Sequence, residues 1–360
     1  MPGAARWGTR AGFASVRRMT RPRVLVLHVG GTIGMVRTPR GYAPDPGFLA
    51  AFMARMPELT HPDLPAWDLE VLEPLRDSAD FSPDDWLRIA NAVAAREGDY
   101  DGFVVLHGTD TMAYTASALS FLLDGLSKPV ILTGSQLSLV HPRSDGREHI
   151  VTSILLAATC HVPEVTIYFR SRLLRGNRAQ KIQSDDFLAF DSGNLPPLGR
   201  VGVSIRIARH LVRAPGPGLS APIVLDRRPH VVAVRIFPGI TAEVLDAILA
   251  PPTAGAVLET YGAGNFPSAQ ADLLAAVERA VRRGVVVVNC SQCHGGAVRQ
   301  DLYSTGRALA EAGVESGHDM TPEAALTKLY YLLGTCDDPG AARDRLGRDL
   351  AGELTPSTPA

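Results

Sequence analysis

Cysteine is scarce in this 360-residue chain: Cys160, Cys290, Cys293 and Cys336 are all there is, unevenly spread. That excludes a disulfide framework and fits a reducing cytoplasm. No apolar run approaches the roughly 20 residues a membrane helix needs. Excess charge is missing too, with 36 basic against 37 acidic residues and a formal net charge of -1. Nothing in that balance advertises nucleic acid or an acidic membrane surface as a partner. The first 23 residues carry arginines and no acid, but no apolar core of about 7–15 residues follows, so a secretory signal is not expected. Residues 1–20 read as a disordered tail, and Met19 is a candidate start just before the first strand.

What is present is a soluble composition, 46% hydrophobic and 20% charged, long enough for two domains with sizeable cores. The chain is organised around Gly102 to Leu123, GFVVLHGTDTMAYTASALSFLL. Phe103 to Leu106 reads as a strand buried on both faces, and the apolar positions from Met112 recur at helical spacing. Between them lies His107-Gly108-Thr109-Asp110-Thr111, where Thr or Asp can cap the helix. Val24 to Leu27 is a second such strand, ending in His28-Val29-Gly30-Gly31-Thr32-Ile33-Gly34. Neither the dinucleotide nor the P-loop glycine spacing is present. Each turn therefore offers a threonine at a strand's carboxyl end, the edge where open α/β sheets bind ligands. Pro129 to Leu132 is a third strand, ending in Thr133-Gly134-Ser135-Gln136.

The organisation that follows is α/β, with two parallel-sheet domains: a larger N-terminal one over 21–213, a Pro/Gly linker over 214–229 and a smaller C-terminal one over 230–360. Residues 35–48, with Tyr42 inside, read as a surface loop that folds over a site. Leu69 to Leu75 reads as a strand, followed by Asp77-Ser78-Ala79, and Ser82-Pro83-Asp84-Asp85 starts a helix running to about Arg96. Arg170 to Lys181, RSRLLRGNRAQK, reads as solvated surface with Lys181 at the end that reaches a pocket. From about Asp337 the tail is charged and proline-rich and is expected to fray. Cys290-Ser291-Gln292-Cys293-His294 matches the C-x-x-C-H haem pattern, but it follows a buried valine strand and lacks an export signal, and no second cysteine pair supports zinc. Tyr261-Gly262-Ala263-Gly264-Asn265 is either a turn or an edge meeting another subunit.

No G-x-S-x-G elbow and no metal-ligand cluster is visible. Hydroxyls on two glycine turns, a carboxylate and a lysine remain. A hydroxyl must pass its proton to a base to become nucleophilic, and lysine can serve with Asp to hold it. Such a set suits acyl transfer from a small polar amide.

The motifs HVGGTIGM (28–35), GFVVLHGTDTMAYTASALSFLL (102–123), KPVILTGSQ (128–136), RGNRAQK (175–181) and DMTPEAALTKLYYLL (319–333) resemble those of the bacterial type I, cytoplasmic L-asparaginases, from about residue 22 onward. The resemblance implies hydrolysis of L-asparagine to aspartate and ammonia without metal or cofactor, by a cytoplasmic homodimer or homotetramer. It puts Thr32 on the nucleophile, Tyr42 on the flexible loop that orients it, and Thr109, Asp110 and Lys181 on a second catalytic triad. Asp110 also falls on the carboxylate that holds the substrate's α-amino group, and Asp77, Ser78 and Ala79 fall where the α-carboxylate binds. Asn265 falls where a residue can reach a partner's pocket. A zwitterionic ligand needs one anion and several fixed donors. Backbone N–H groups at the turns would stabilise the oxyanion by about 3–4 kcal/mol per donor.

Two departures stand out. Val29 replaces the first threonine of the family's T-G-G-T-I, removing one hydrogen bond. Glu259 aligns where some type I enzymes carry an arginine, near the segment matching Ser291-Gln292-Cys293, that binds an allosteric asparagine; an acid there would repel the effector. Two alternatives stay open: the glutamine-hydrolysing subunit of a tRNA amidotransferase, which carries an extra N-terminal domain, and a catalytically silent amino-acid sensor, which has no need of Lys181.

Overall fold

Runs of Val, Leu, Ile and Phe with no polar alternation suit strands covered on both faces. In the computed structural model, which describes residues 21–39 and 41–356, four such runs form fully or almost fully buried strands: Arg23–Gly30, Gly102–Leu106, Val130–Thr133 and Val165–Phe169. Together with Ala66–Arg76 they make the parallel part of an eight-stranded sheet. Helices Pro83–Arg96 and Met112–Leu122 cover one face; Phe48–Met53 and Gly146–Thr159 cover the other. Met112–Leu122 is apolar nearly all round because the C-terminal helix Pro322–Thr335 packs on its outer side.

The parallel register brings the carboxyl ends level. His28 pairs with Leu106, and Leu106 with Thr133. All the polar turns therefore leave the sheet along one edge.

The second sheet is parallel throughout, in the order His230–Arg235, Thr253–Thr260, Val286–Ser291, Glu315–Ser316, with Ala242–Leu249 and Ala271–Arg282 packed on one face and Pro322–Thr335 on the other.

Three expectations are corrected. Residues 35–48 are not an irregular loop, because Met35–Thr38 and Gly41–Pro44 pair as an antiparallel hairpin beside the Thr32–Gly34 turn. The basic run is not solvated surface. It turns back as Arg172–Arg175, antiparallel to Val165–Phe169, and Gly199–Val201 and Ile205–Ile207 extend the sheet as two further antiparallel strands. Arg175 and Arg178 are buried in this segment. As far as residue 356 the tail does not fray: Pro339–Leu346 is helical and Glu353 and Leu354 are buried. The expectations for residues 1–20, for Met19 and for the last four residues of the tail lie outside the described residues.

The tail and the basic run hold each other. Arg175 pairs with Glu164 (Nε–Oε2 2.6 Å) and donates to the Gly352 carbonyl. Arg178 binds both oxygens of Asp319 (3.0 and 2.6 Å) and the Glu353 carbonyl (2.7 Å). Lys328 and Glu353 form an ion pair at 2.5 Å with neither side chain exposed to solvent. The Glu353 carboxylate also accepts from the Leu350 and Ala351 amides, so its removal strands a buried cation and two donors. Glu353→Ala is expected to cost about 3–5 kcal/mol of stability, read as a lower denaturant midpoint at unchanged slope; a shift below about 1 kcal/mol would show that the buried pair contributes nothing.

Candidate active site

The site is built where the first and central strands end. Gly30 and Gly31 both have positive φ, 127° and 86°, which turns the chain sharply off the sheet. A Cβ on Gly31 would lie 2.2 Å from the Gly108 nitrogen, so the two turns meet backbone to backbone. Thr32 and Thr109, each directly after one of these glycines, flank that seam. Ser78 joins it from the edge strand: a Cβ on Gly108 would lie 2.5 Å from Ser78 Oγ. Thr111, which sequence reasoning passed over, ties the two together by donating to the Ser78 carbonyl (2.7 Å).

Thr109, Asp110 and Lys181 assemble. Lys181 Nζ donates to Thr109 Oγ1 at 2.8 Å and to Asp110 Oδ1 at 2.6 Å. Lys181 comes from the two-residue ladder Gln180–Lys181/Phe190–Asp191, outside both main sheets. The Lys181 side chain is largely covered, whereas that of Asp110 is 62% exposed and open to a ligand. Gln136 is a further site residue: its Oε1 accepts from Thr109 Oγ1 (3.3 Å) and its Nε2 donates to the Ser184 and Asp186 carbonyls (3.1 and 3.0 Å). Its position at the end of the third strand was the available signal.

Other expected residues make no described hydrogen bond to the Thr109 cluster. Tyr42 is 50% exposed on the hairpin, and neither its hydroxyl nor that of Thr32 has a hydrogen bond among the described residues. Asp77 caps its own turn, accepting from the Ala79 amide (3.0 Å). Asn265 accepts from Thr305 in the C-terminal domain (2.9 Å) and makes no described contact with the Thr109 cluster. Val29 is fully buried in the core. Cys290 is buried and Cys293 exposed, and no cluster of metal-ligating side chains occurs among the described residues. Glu259 is not a bare charge, since Arg235 lies 3.5 Å from it.

Two buried imidazoles brace the turns. His107 Nδ1 donates to the Gly108 carbonyl (2.6 Å) and Nε2 accepts from Thr115 Oγ1 (2.9 Å), which sets the neutral tautomer. His28 lies under Gly34, with no protein partner for either ring nitrogen. Burial pushes both down to about 4 from an ordinary 6.5. With folded values below the unfolded one, the stability they contribute is complete above 6.5 and is lost as pH falls towards 4. The loss is on the order of 3 kcal/mol per imidazole. Urea midpoints measured from about pH 7 down to about pH 4.5 should fall accordingly, and His107→Asn should flatten the decline; an unchanged pH slope in that variant would refute the assignment.

Comparison with known proteins follows the same outline. Residues 23–213 match the family model described as Asparaginase, N-terminal, and residues 230–346 match the Glutaminase/Asparaginase C-terminal domain. Over 340 residues the chain is 47% identical to L-asparaginase 1 of Escherichia coli strain K12, covering 94% of this chain and 99% of that protein. The crystal structure of L-asparaginase I from Vibrio cholerae superposes with a TM-score of 0.84 at 42% identity, covering 93% of this chain and all of that one. The thermostable L-asparaginase from Thermococcus kodakarensis gives 0.81 at 36% identity, with the same coverage. With both of its domains matched and both turns in place, the chain belongs to the asparaginase family.

Proposed function

We propose that this chain hydrolyses L-asparagine to L-aspartate and ammonia, with Thr32 supplying the nucleophilic hydroxyl. The observation that carries the reading is Lys181 Nζ at 2.8 Å from Thr109 Oγ1 and 2.6 Å from Asp110 Oδ1, brought from 72 and 71 residues away. A sensor binding an amino acid has no use for a lysine aimed at a hydroxyl.

In this reading the exposed carboxylate of Asp110 receives the substrate's ammonium group, and Ser78 with the Asp77–Ala79 turn receives the α-carboxylate. The side-chain amide then lies over the Gly31/Gly108 seam. Thr32 Oγ adds to the amide carbon as its proton passes to a base, with Tyr42 orienting the hydroxyl from the hairpin. The Gly31 amide is already bonded to the Arg76 carbonyl (3.1 Å), so the oxyanion is stabilised by amides further along the two turns. The C–N bond breaks, the nitrogen takes a proton and leaves as ammonia. Water, activated through Thr109 and Lys181, then opens the acyl-threonine to aspartate. Asp110 stabilises the ammonium form of Lys181 whenever it holds the proton.

The same reading makes the protein a cytoplasmic homodimer or homotetramer in which Asn265 completes a partner's pocket. Among the described residues no helix is long and apolar enough to cross a membrane. Thr32→Ala and Thr109→Ala are each expected to lower kcat by at least about a thousandfold with the fold intact. Ammonia release measured with asparagine and glutamine side by side reads both the activity and its selectivity; near-normal rates in either variant overturn the roles given. Rates against asparagine are expected to be hyperbolic, because Ser291 and Gln292 are held by backbone carbonyls of their own domain (2.6 to 2.8 Å). A sigmoidal curve would contradict this.

A further inference from the structure

The segment Cys290–His294 has no part in the chemistry above, yet it leaves the C-terminal sheet towards the strand that carries Lys181. Its backbone is docked independently of its side chains. A Cβ on Gly193 would lie 1.9 Å from the His294 carbonyl oxygen, so the two chains touch there. Asn194 donates to the Gly296 carbonyl (2.8 Å) and accepts from the Gly296 amide (2.7 Å).

Docked in this way, His294 reaches both strands of the Lys181 ladder. Its Nδ1 lies 2.9 Å from Gln180 Oε1. The amide orientation is set from the far side, where Gln180 Nε2 donates to Glu323 Oε2 (3.1 Å), so Nδ1 is the donor to Gln180. Nε2 of the same ring lies 3.5 Å from Asp191 Oδ2, an ion pair when the ring is protonated, and the other Asp191 oxygen accepts from Arg172 (2.9 Å). Gln180 and Asp191 are cross-strand partners, and the next rung pairs Lys181 with Phe190. His294 therefore spans the rung adjoining the one from which Lys181 extends.

A ladder of two residues per strand has little stability of its own. Lysine has a flexible four-carbon stem, and a misplacement of about 1 Å at a reacting group can cost on the order of a hundredfold in rate. We propose that His294 is a positioning residue for Lys181. It acts from the C-terminal domain by fixing the Gln180/Asp191 rung, and touches neither substrate nor the reacting atoms. The inference rests on Lys181 serving as the base of the reaction proposed above.

The test compares His294→Ala, His294→Asn and Lys181→Met in the full chain with asparagine as substrate. Asn keeps a donor near the Nδ1 position. His294→Ala is expected to lower kcat about tenfold, with KM within about twofold and an unchanged melting midpoint, because Asn194 still docks the segment; His294→Asn should recover most of the lost kcat. The proposal fails if His294→Ala keeps kcat within about twofold, if Ala and Asn lose equally, or if the loss is matched by a lower melting midpoint. Lys181→Met separates the two readings. Activity retained in Lys181→Met removes the base and this inference together, whereas activity lost there but kept in His294→Ala overturns the positioning role alone.

Discussion

The contact between Gly31 and Gly108 is the constraint on which the site depends. Neighbouring parallel strands in register, His28 beside Leu106, deliver two turns to the same point of the sheet edge. They fit only because neither carries a side chain there: a Cβ on Gly31 would overlap the Gly108 backbone, and one on Gly108 would overlap Ser78. The seam makes it unavoidable that the residues following the glycines leave from a common origin. Thr32 and Thr109 are those residues, so their juxtaposition is a property of sheet register and steric exclusion, not of loop chance. Three buried or capped supports keep it rigid: His107 on the Gly108 carbonyl, Thr111 on the Ser78 carbonyl and the Gly31 amide on Arg76.

A parallel edge supplies hydroxyls, amides and a carboxylate, but no cation to pair with them. Lys181 comes from outside the parallel strands, and the chain brings it by reversing direction. After Val165–Phe169 the antiparallel strand Arg172–Arg175 carries the chain back, and the 3-10 turn Gly176–Arg178 redirects it to Lys181. Such a detour needs anchors. Arg175 and Arg178 provide them because each is matched by a carboxylate and by carbonyls of the C-terminal segment. Buried guanidinium groups are tolerable only with that degree of pairing, and the planar fork of Arg178 on both oxygens of Asp319 sets direction as well as distance.

What was legible in the sequence was local. Continuous β-branched and apolar runs marked the buried strands, glycines marked the turns, and Ser82-Pro83 marked the start of a helix that ends at Arg96. The three antiparallel strands were not legible, because arginine-rich segments without visible partners read as surface. Their partners lie 11 residues away in the case of Glu164 and 141 in the case of Asp319, and no periodicity records such pairings. The tail was misjudged for the same reason: Glu353 is one acid in a polar end until Lys328 is seen beneath it. The stretch around Tyr42 reads as a loop because Gly and Pro dominate it, although it is regular enough to pair as a hairpin. Gln136 is legible from its place, since a polar residue at the carboxyl end of a third parallel strand stands on the same edge as both threonines.

The C-terminal domain, by this account, acts on the chemistry through placement. Pro322–Thr335 packs on the helix that follows Thr109, and its first turn brings Glu323 to Gln180. The segment after Val286–Ser291 touches the Lys181 ladder, while Asp319 and the stretch from Ala351 to Glu353 hold the detour that leads to it. Each of these contacts falls on the segment between Arg172 and Asn194 or on helix Met112–Leu122, and none on the Thr32 turn. The Thr32 turn is thus fixed within the N-terminal domain, whereas Lys181 is fixed by both domains. An assembly of this kind couples Lys181, and not Thr32, to any displacement between the two halves of the chain.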